Sequence, residues 1–312
     1  MVEHAQTPTA DLSDLTDEDW FAAVRAAGSE RGFHVTLGAS HDAVLLRAGP
    51  KLLVSFEVAA RVQDLPDAEP RGWLHVREDG WSSLTVLSRG ETWFRDPAVY
   101  DFFDRLTDEG VFDEFDDVLF FGVGSGGYAA AAYSVAAPGA QVVALRPQAT
   151  LAADTAGWDP RYRRHRMACF DDRYGYAPDM ADAARQVTVL FDPEETEDAM
   201  HAALFRRPHA LRLPCPMLGW QIDRNLEGMD ILAPLLRMAM AGRLDRAAFA
   251  RLYQARRAHP PYLRALLGHL EDNGREGLAH RIARHGVKTT GRPVFRRRLA
   301  RYEPDDGATA AE

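Results

Sequence analysis

The residues best placed to do chemistry lie in one short run, Gly122-Val123-Gly124-Ser125-Gly126-Gly127. Four glycines within six residues allow a bend too sharp for ordinary side chains. Val118 to Phe121 before it is apolar throughout, which suits a strand buried on both faces. Ala129 to Ala132 after it are small helix formers that let a helix pack closely on a sheet. A strand, a bend and a helix in this order place either a nucleophile or an anionic group at the apex of the bend. Ser125 is the hydroxyl available there.

The bend has three readings. Gly122, Gly124 and Gly127 satisfy the dinucleotide-binding spacing G-x-G-x-x-G, but Arg146 replaces the acidic residue expected after the next strand. An arginine there suits a 2′-phosphate. Ser125-Gly126-Gly127 also begins the pyrophosphatase-type S-G-G-x-D-S loop of adenylyl- and sulfonucleotide enzymes, with Ala129 and Ala130 in place of its Asp and Ser. The third reading is the nucleophile elbow G-x-S-x-G. It holds a nucleophile in a strained turn and supplies a backbone N–H to an oxyanion hole.

Phe120-Phe121-Gly122-Val123-Gly124-Ser125-Gly126-Gly127-Tyr128-Ala129-Ala130 resembles the elbow of α/β-hydrolase-like proteins found with bacterial polysaccharide and glycoprotein modification. These are similar to the accessory-secretion acetyltransferase group, whose elbow reads approximately F-Y-G-S-S-M-G-G-Y-A-A. Trp93-Phe94-Arg95-Asp96-Pro97 and Leu145-Arg146-Pro147-Gln148-Ala149-Thr150 fit the same group. The resemblance covers roughly residues 80–220, and is closer still to a family of alphaproteobacterial proteins with a similar C-terminal helical region. It implies a hydrolase-like fold and ester or acyl chemistry. Alignment on Gly-Gly-Tyr puts Gly124 at the nucleophile position, between the flanking glycines Gly122 and Gly126. The elbow is then degenerate, and Ser125 falls one residue late, at the oxyanion position.

A triad in this fold runs nucleophile, acid, histidine along the chain. Asp192, after the apolar run Val187–Phe191, occupies the acid position. The loop after the following strand, Leu213-Pro214-Cys215-Pro216-Met217-Leu218-Gly219-Trp220, has Met217 and no histidine. Without a base a serine is an unactivated alcohol. His165 is the candidate for a displaced base, and Cys215 keeps a reactive thiol in view. His201, His209, His280 and His285 read as surface or capping residues. Arg146 and Gln148 follow a parallel strand beside the bend, where open α/β sheets bind ligands. With Gly122, Gly124, Gly126, Gly127 and Met217 they make the expected ligand-binding set. Arg146 is expected either to face a ligand or to form a salt bridge.

The elements that must position these residues are legible in outline. Thr16 with Asp19 forms a capping box opening a helix over 17–31. Phe33–Leu37, Ala43–Arg47, Leu52–Val58, Trp73–Val76 and Leu84–Leu87 read as strands of an antiparallel N-terminal part. Pro97 opens a helix that Gly110 closes. The runs 118–121, 141–145, 187–191 and 210–213 read as parallel strands, with an irregular excursion over 154–178 crossing one end of the sheet. Beyond residue 222 the pattern is helical, and Arg296, Arg297 and Arg298 make a basic cluster near the end. The expected organisation is a disordered stretch 1–15, an α/β-hydrolase-like domain 16–222 with a mostly parallel sheet and antiparallel N-terminal flank, a helical region 223–290, and a basic segment with a polar tail, 291–312.

A chain of 312 residues with 46% hydrophobic and 27% charged residues reads as an ordinary globule able to bury a large core. The net charge of −9 argues against general affinity for nucleic acid or an anionic membrane. Lys51 and Lys288 are the only lysines, as GC-rich codon usage in a bacterial genome would produce. Two cysteines, Cys169 and Cys215, cannot build a thiolate zinc site, and no metal or cofactor is expected. A cytoplasmic location is expected, with no membrane span and no nucleic-acid partner. The C-terminal helices are expected to pack on the sheet or on a second subunit. The expected function is a hydrolase-fold protein that has lost Ser-His-Asp catalysis and binds a small molecule, glycan or protein partner through the former cleft. The alternative is an esterase or acyltransferase using Ser125, Asp192 and His165.

Overall fold

The computed structural model describes residues 12–302. The expected disorder of the first residues and the polar tail lie largely outside that range, although Leu12 is buried against the first helix.

In chain order the elements are helix α1 (Asp17–Arg31), strands β1 (Gly32–Leu37), β2 (His41–Leu46) and β3 (Lys51–Val58), helices α2 (Ala59–Gln63) and α3 (Arg71–Asp79), and strand β4 (Ser82–Ser88). Then come α4 (Pro97–Asp108), β5 (Asp117–Val123), α5 (Ser125–Tyr133) and β6 (Gln141–Leu145), followed by α6 (Ala153–Ala156), α7 (Ala177–Met180), β7 (Gln186–Phe191), α8 (Thr196–Leu204) and β8 (Ala210–Pro214). The rest is helical: α9 (Ile222–Gly228), α10 (Leu232–Met240), α11 (Arg246–Leu252), α12 (Pro260–Asp272), α13 (Glu276–Thr290) and α14 (Pro293–Leu299).

The strands form one sheet of eight in the order β1-β2-β4-β3-β5-β6-β7-β8. Only β2 runs against the others, pairing antiparallel with β1 and β4. β3 is parallel to both β4 and β5, and the parallel run continues to β8. This is an α/β-hydrolase-like sheet with its antiparallel strand in the N-terminal flank. The antiparallel character of that part is therefore confined to β2.

Alternation along each strand fills both faces. Val54, Phe56, Phe120, Val142 and Val189 pack under α4 and α5, while Leu53, Leu119, Phe121, Val143 and Leu145 pack under α9 and α10. Burial on both sides explains why the central strands read as unbroken apolar runs. α5 buries all nine of its residues, which only an alanine-rich helix can do so close to a sheet.

One expected strand is a helix. Trp73–Val76 lies inside α3, with Pro70 before it and Gly80 left-handed at its end. Trp73 and Val76 face the same cluster as Trp20 because they are one helical turn apart. The C-terminal helices meet the sheet domain through Arg71, which donates to Glu57, Asp223 and Glu227 at 3.3, 2.9 and 2.7 Å. α12, α13 and α14 share a separate small core around Phe295, which fills the space left by Gly286.

Candidate functional site

The carboxyl ends of the parallel strands converge on the glycine bend. β5 ends at Val123 and α5 begins at Ser125, so Gly124 is the residue at the apex. Its backbone has φ 59° and ψ −117°, the strained conformation an elbow imposes on its central residue. The neighbours fix the frame independently. A Cβ on Gly122 would come within 2.1 Å of the Gly126 carbonyl oxygen, and one on Gly126 within 2.2 Å of the Phe56 carbonyl oxygen. These two positions exclude any side chain. A Cβ on Gly124 would touch nothing nearer than 3.6 Å. There is room for that one atom, in ordinary contact with Arg146 Nη2 at 3.6 Å and Arg61 Nη1 at 3.8 Å. Gly127 is held against the Leu145 carbonyl oxygen, letting α5 lie close to β6.

Ser125 is buried, and its hydroxyl donates to Glu91 Oε2 at 2.7 Å. Glu91 Oε1 in turn accepts from Arg61 Nη2 at 2.5 Å. Arg61 follows β3 and Glu91 follows β4, and neither was singled out from the sequence. Assigning β3 to an antiparallel region hid the rule that would have found them. In a parallel sheet, residues just past β3 and β4 reach the same rim as those past β5 and β6.

Arg146 follows β6 and is 7% exposed. It adopts φ +40°, an uncommon value for a side-chain-bearing residue, held by its N–H to the Leu190 carbonyl at 2.7 Å. Its Nε is buried without a hydrogen-bond partner, and among the described residues no carboxylate pairs with its guanidinium. Of its two expected roles, the salt bridge does not form. Gln148 is fully buried and spends its amide on the Arg146 carbonyl and the Trp93 indole N–H, each at 3.3 Å.

Asp192 follows β7 and is 3% exposed. Oδ1 accepts from the Glu194 N–H at 3.0 Å and Oδ2 from the Gly219 N–H at 2.7 Å. Met217 lies between β8 and Gly219 with φ +67°. The acid therefore reaches the loop where a base would sit, but holds it by backbone. Burial pushes the Cys215 thiol up, so it stays protonated, and its Sγ is directed at the Leu213 carbonyl.

His165 lies in a short turn of the excursion over 154–178, with its ring 4.6 Å from Trp93. Among the described residues, the hydrogen-bond partner of the Ser125 hydroxyl is Glu91 and not a histidine. The excursion is pinned at two places. Arg95 donates to the Cys169 and Arg173 carbonyls at 2.9 Å each, pairs with Asp172, and reaches Tyr128 Oη at 3.2 Å. At the other end His201, expected as a surface or capping residue, is fully buried. Its Nδ1 accepts from the Ala149 N–H at 3.2 Å, so Nε2 carries the hydrogen and meets Asp159 Oδ2 at 3.1 Å. Arg161 bridges Asp159 and Asp198 at 2.8 and 2.7 Å. Burial pushes the Asp159 carboxyl up, but the bonds from His201 and Arg161 outweigh it and hold the carboxyl well below the usual range.

No protein-family model matches the chain, and no curated protein matches it in sequence. Among solved structures it is similar to the capsule O-acetyltransferase of Neisseria meningitidis serogroup A, at 10% identity and a TM-score of 0.42, over 64% of this chain and 93% of that one. It is also similar to carboxyl esterase 2 from the fungus Tuber melanosporum, at 15% identity and a TM-score of 0.41, over 67% and 85%. Est1E from Butyrivibrio proteoclasticus gives 13% identity and a TM-score of 0.37, over 59% and 88%. The strand order and the bend after β5 give the chain an α/β-hydrolase-like fold.

Among the described residues no helix is long and apolar enough to cross a membrane.

Proposed function

We propose that this α/β-hydrolase-like protein does not run Ser-His-Asp catalysis and instead uses the cleft at the bend to bind a small molecule or glycan. The observation that carries the reading is the residue at the apex. Gly124 has the strained backbone of a nucleophile and no side chain to react. The surroundings support it. Ser125 points at a carboxylate already engaged by a guanidinium, which orients a hydroxyl but does not replace the imidazole that takes its proton. Asp192 has both oxygens occupied by backbone N–H groups, and Met217 stands where the base belongs.

A fluorophosphonate probe tests the reading, because it labels serines activated as nucleophiles. The expected result is no labelling and no turnover of p-nitrophenyl acetate above that of Ser125→Ala. Labelling that disappears in Ser125→Ala overturns it in favour of an esterase or acyltransferase acting through Ser125.

A further inference from the structure

The chemistry at the apex also specifies the kind of group that would be held. Resting on the binding role given above, we propose that Gly124 is the floor of an oxyanion site, which takes a carboxylate, phosphate or sulfate group of a small-molecule ligand.

Three observations converge on one point. The first is the pair of guanidiniums: Arg146 Nη2 and Arg61 Nη1 lie 3.6 and 3.8 Å from where a Gly124 Cβ would be. They come from the ends of β6 and β3, on either side of β5. The crossover from β3 goes to β4 on one side, and that from β5 goes to β6 on the other. Gly124 thus sits at the switch point of the sheet, where ligands enter open α/β folds.

The second is charge. Arg61 is neutralised by Glu91 at 2.5 Å. Arg146 is 7% exposed, has an unpartnered buried Nε, and no carboxylate pairs with it among the described residues. The apex therefore carries one uncompensated positive charge. A buried charge left without a partner is costly, and one anionic oxygen pair would satisfy both the charge and the planar fork of donors. The backbone of Arg146 is strained to aim the side chain there, at φ +40°.

The third is the helix. α5 starts at Ser125, and its first N–H groups have no intrahelical acceptor. They add the positive end of the helix dipole beside Gly124. With no side chain at Gly124, the elbow puts nothing of its own between the α-carbon and the two guanidiniums. One free guanidinium and one bare α-carbon fit a single oxyanion rather than a pyrophosphate.

Calorimetric titration of the full chain with sodium phosphate, sodium sulfate and sodium acetate, at constant ionic strength set with chloride, tests the site. The expected result is saturable binding of at least one of the three; the tetrahedral and planar anions tell a phosphate- or sulfate-bearing ligand from a carboxylate. Arg146→Gln should weaken that binding about tenfold or more, and Arg206→Gln, an exposed arginine, should leave it unchanged. Gly124→Ala keeps both guanidiniums but puts a methyl group in the site, and should also weaken binding; it carries the test if Arg146→Gln does not fold. No binding of any of the three anions, or binding that Arg146→Gln and Gly124→Ala leave intact, overturns the inference. That failure would leave the non-catalytic reading standing, whereas labelling of Ser125 by the fluorophosphonate would remove the non-catalytic reading and leave the anion titration to be judged by itself.

Discussion

Asp192 Oδ2 accepts the backbone N–H of Gly219 at 2.7 Å, and through this bond the end of β7 clamps the loop that follows β8. The carboxylate also caps the Glu194 N–H. Both of its oxygens thus hold backbone. Asp192→Ala removes the acceptor of two part-buried N–H groups and should cost about 1 kcal/mol or more, read by urea denaturation. Asp192→Asn, which retains one acceptor oxygen, should fall between the two. Wild-type stability in Asp192→Ala would show that the clamp is idle.

The frame of the bend gives a sharper contrast. Gly126→Ala drives a methyl to within 2.2 Å of the Phe56 carbonyl and must push α5 off β3. A loss of roughly 1–3 kcal/mol or more is expected from such overpacking. Gly124→Ala meets no atom nearer than 3.6 Å, so its cost is limited to the positive φ. Thermal denaturation of the two variants side by side checks this. Equal losses would mean that the apex is misplaced by a residue.

Arg95 holds the excursion over 154–178 by two carbonyls, Asp172 and Tyr128. Arg95→Ala should speed tryptic cleavage between Arg161 and Arg173 several-fold without changing cleavage elsewhere. Arg95→Lys, with a single point charge, should recover part of the protection. Mass spectrometry of a timed digest reads the outcome, and an unchanged cleavage rate would count against the pin.

The other pin is pH-dependent. The folded Asp159 carboxyl is held below its unfolded value, so its contribution to stability is fully present above about pH 4 and is lost as pH falls through the folded value. After correction for the intrinsic pH dependence of amide exchange, the protection of residues 153–180 should therefore hold from neutral pH down to about pH 4 and fall below it. In Asp159→Asn that segment should exchange faster at neutral pH, with the acid-induced part of the change reduced.

Much of this architecture is written locally. β5, the bend and α5 are legible because each property involves neighbours in sequence: an apolar run, clustered glycines, an alanine helix. The frame that puts Gly124 at the apex came from the resemblance, by alignment on Gly-Gly-Tyr, and not from the glycine spacing alone. What the sequence hid was pairing. The direction of β3 depends on β5, which lies beyond three helices and a strand, and misreading it concealed Arg61 and Glu91. Trp73–Val76 looked like a strand because four residues are too few to tell period two from one helical turn. His201 looked superficial because its partners are remote in sequence: Asp159 comes from the excursion, which has no periodicity to place it, and the Ala149 N–H from the stretch after β6.

The parts around the apex come from four separate connections: Arg61 after β3, Glu91 after β4, Gly124 after β5 and Arg146 after β6. An occupant there would act as a cross-link, stitching stretches of backbone that are remote in the chain into one rim. Emptying the seat would loosen those connections together rather than one by one, so ligand loss and the first step of melting should be a single cooperative event.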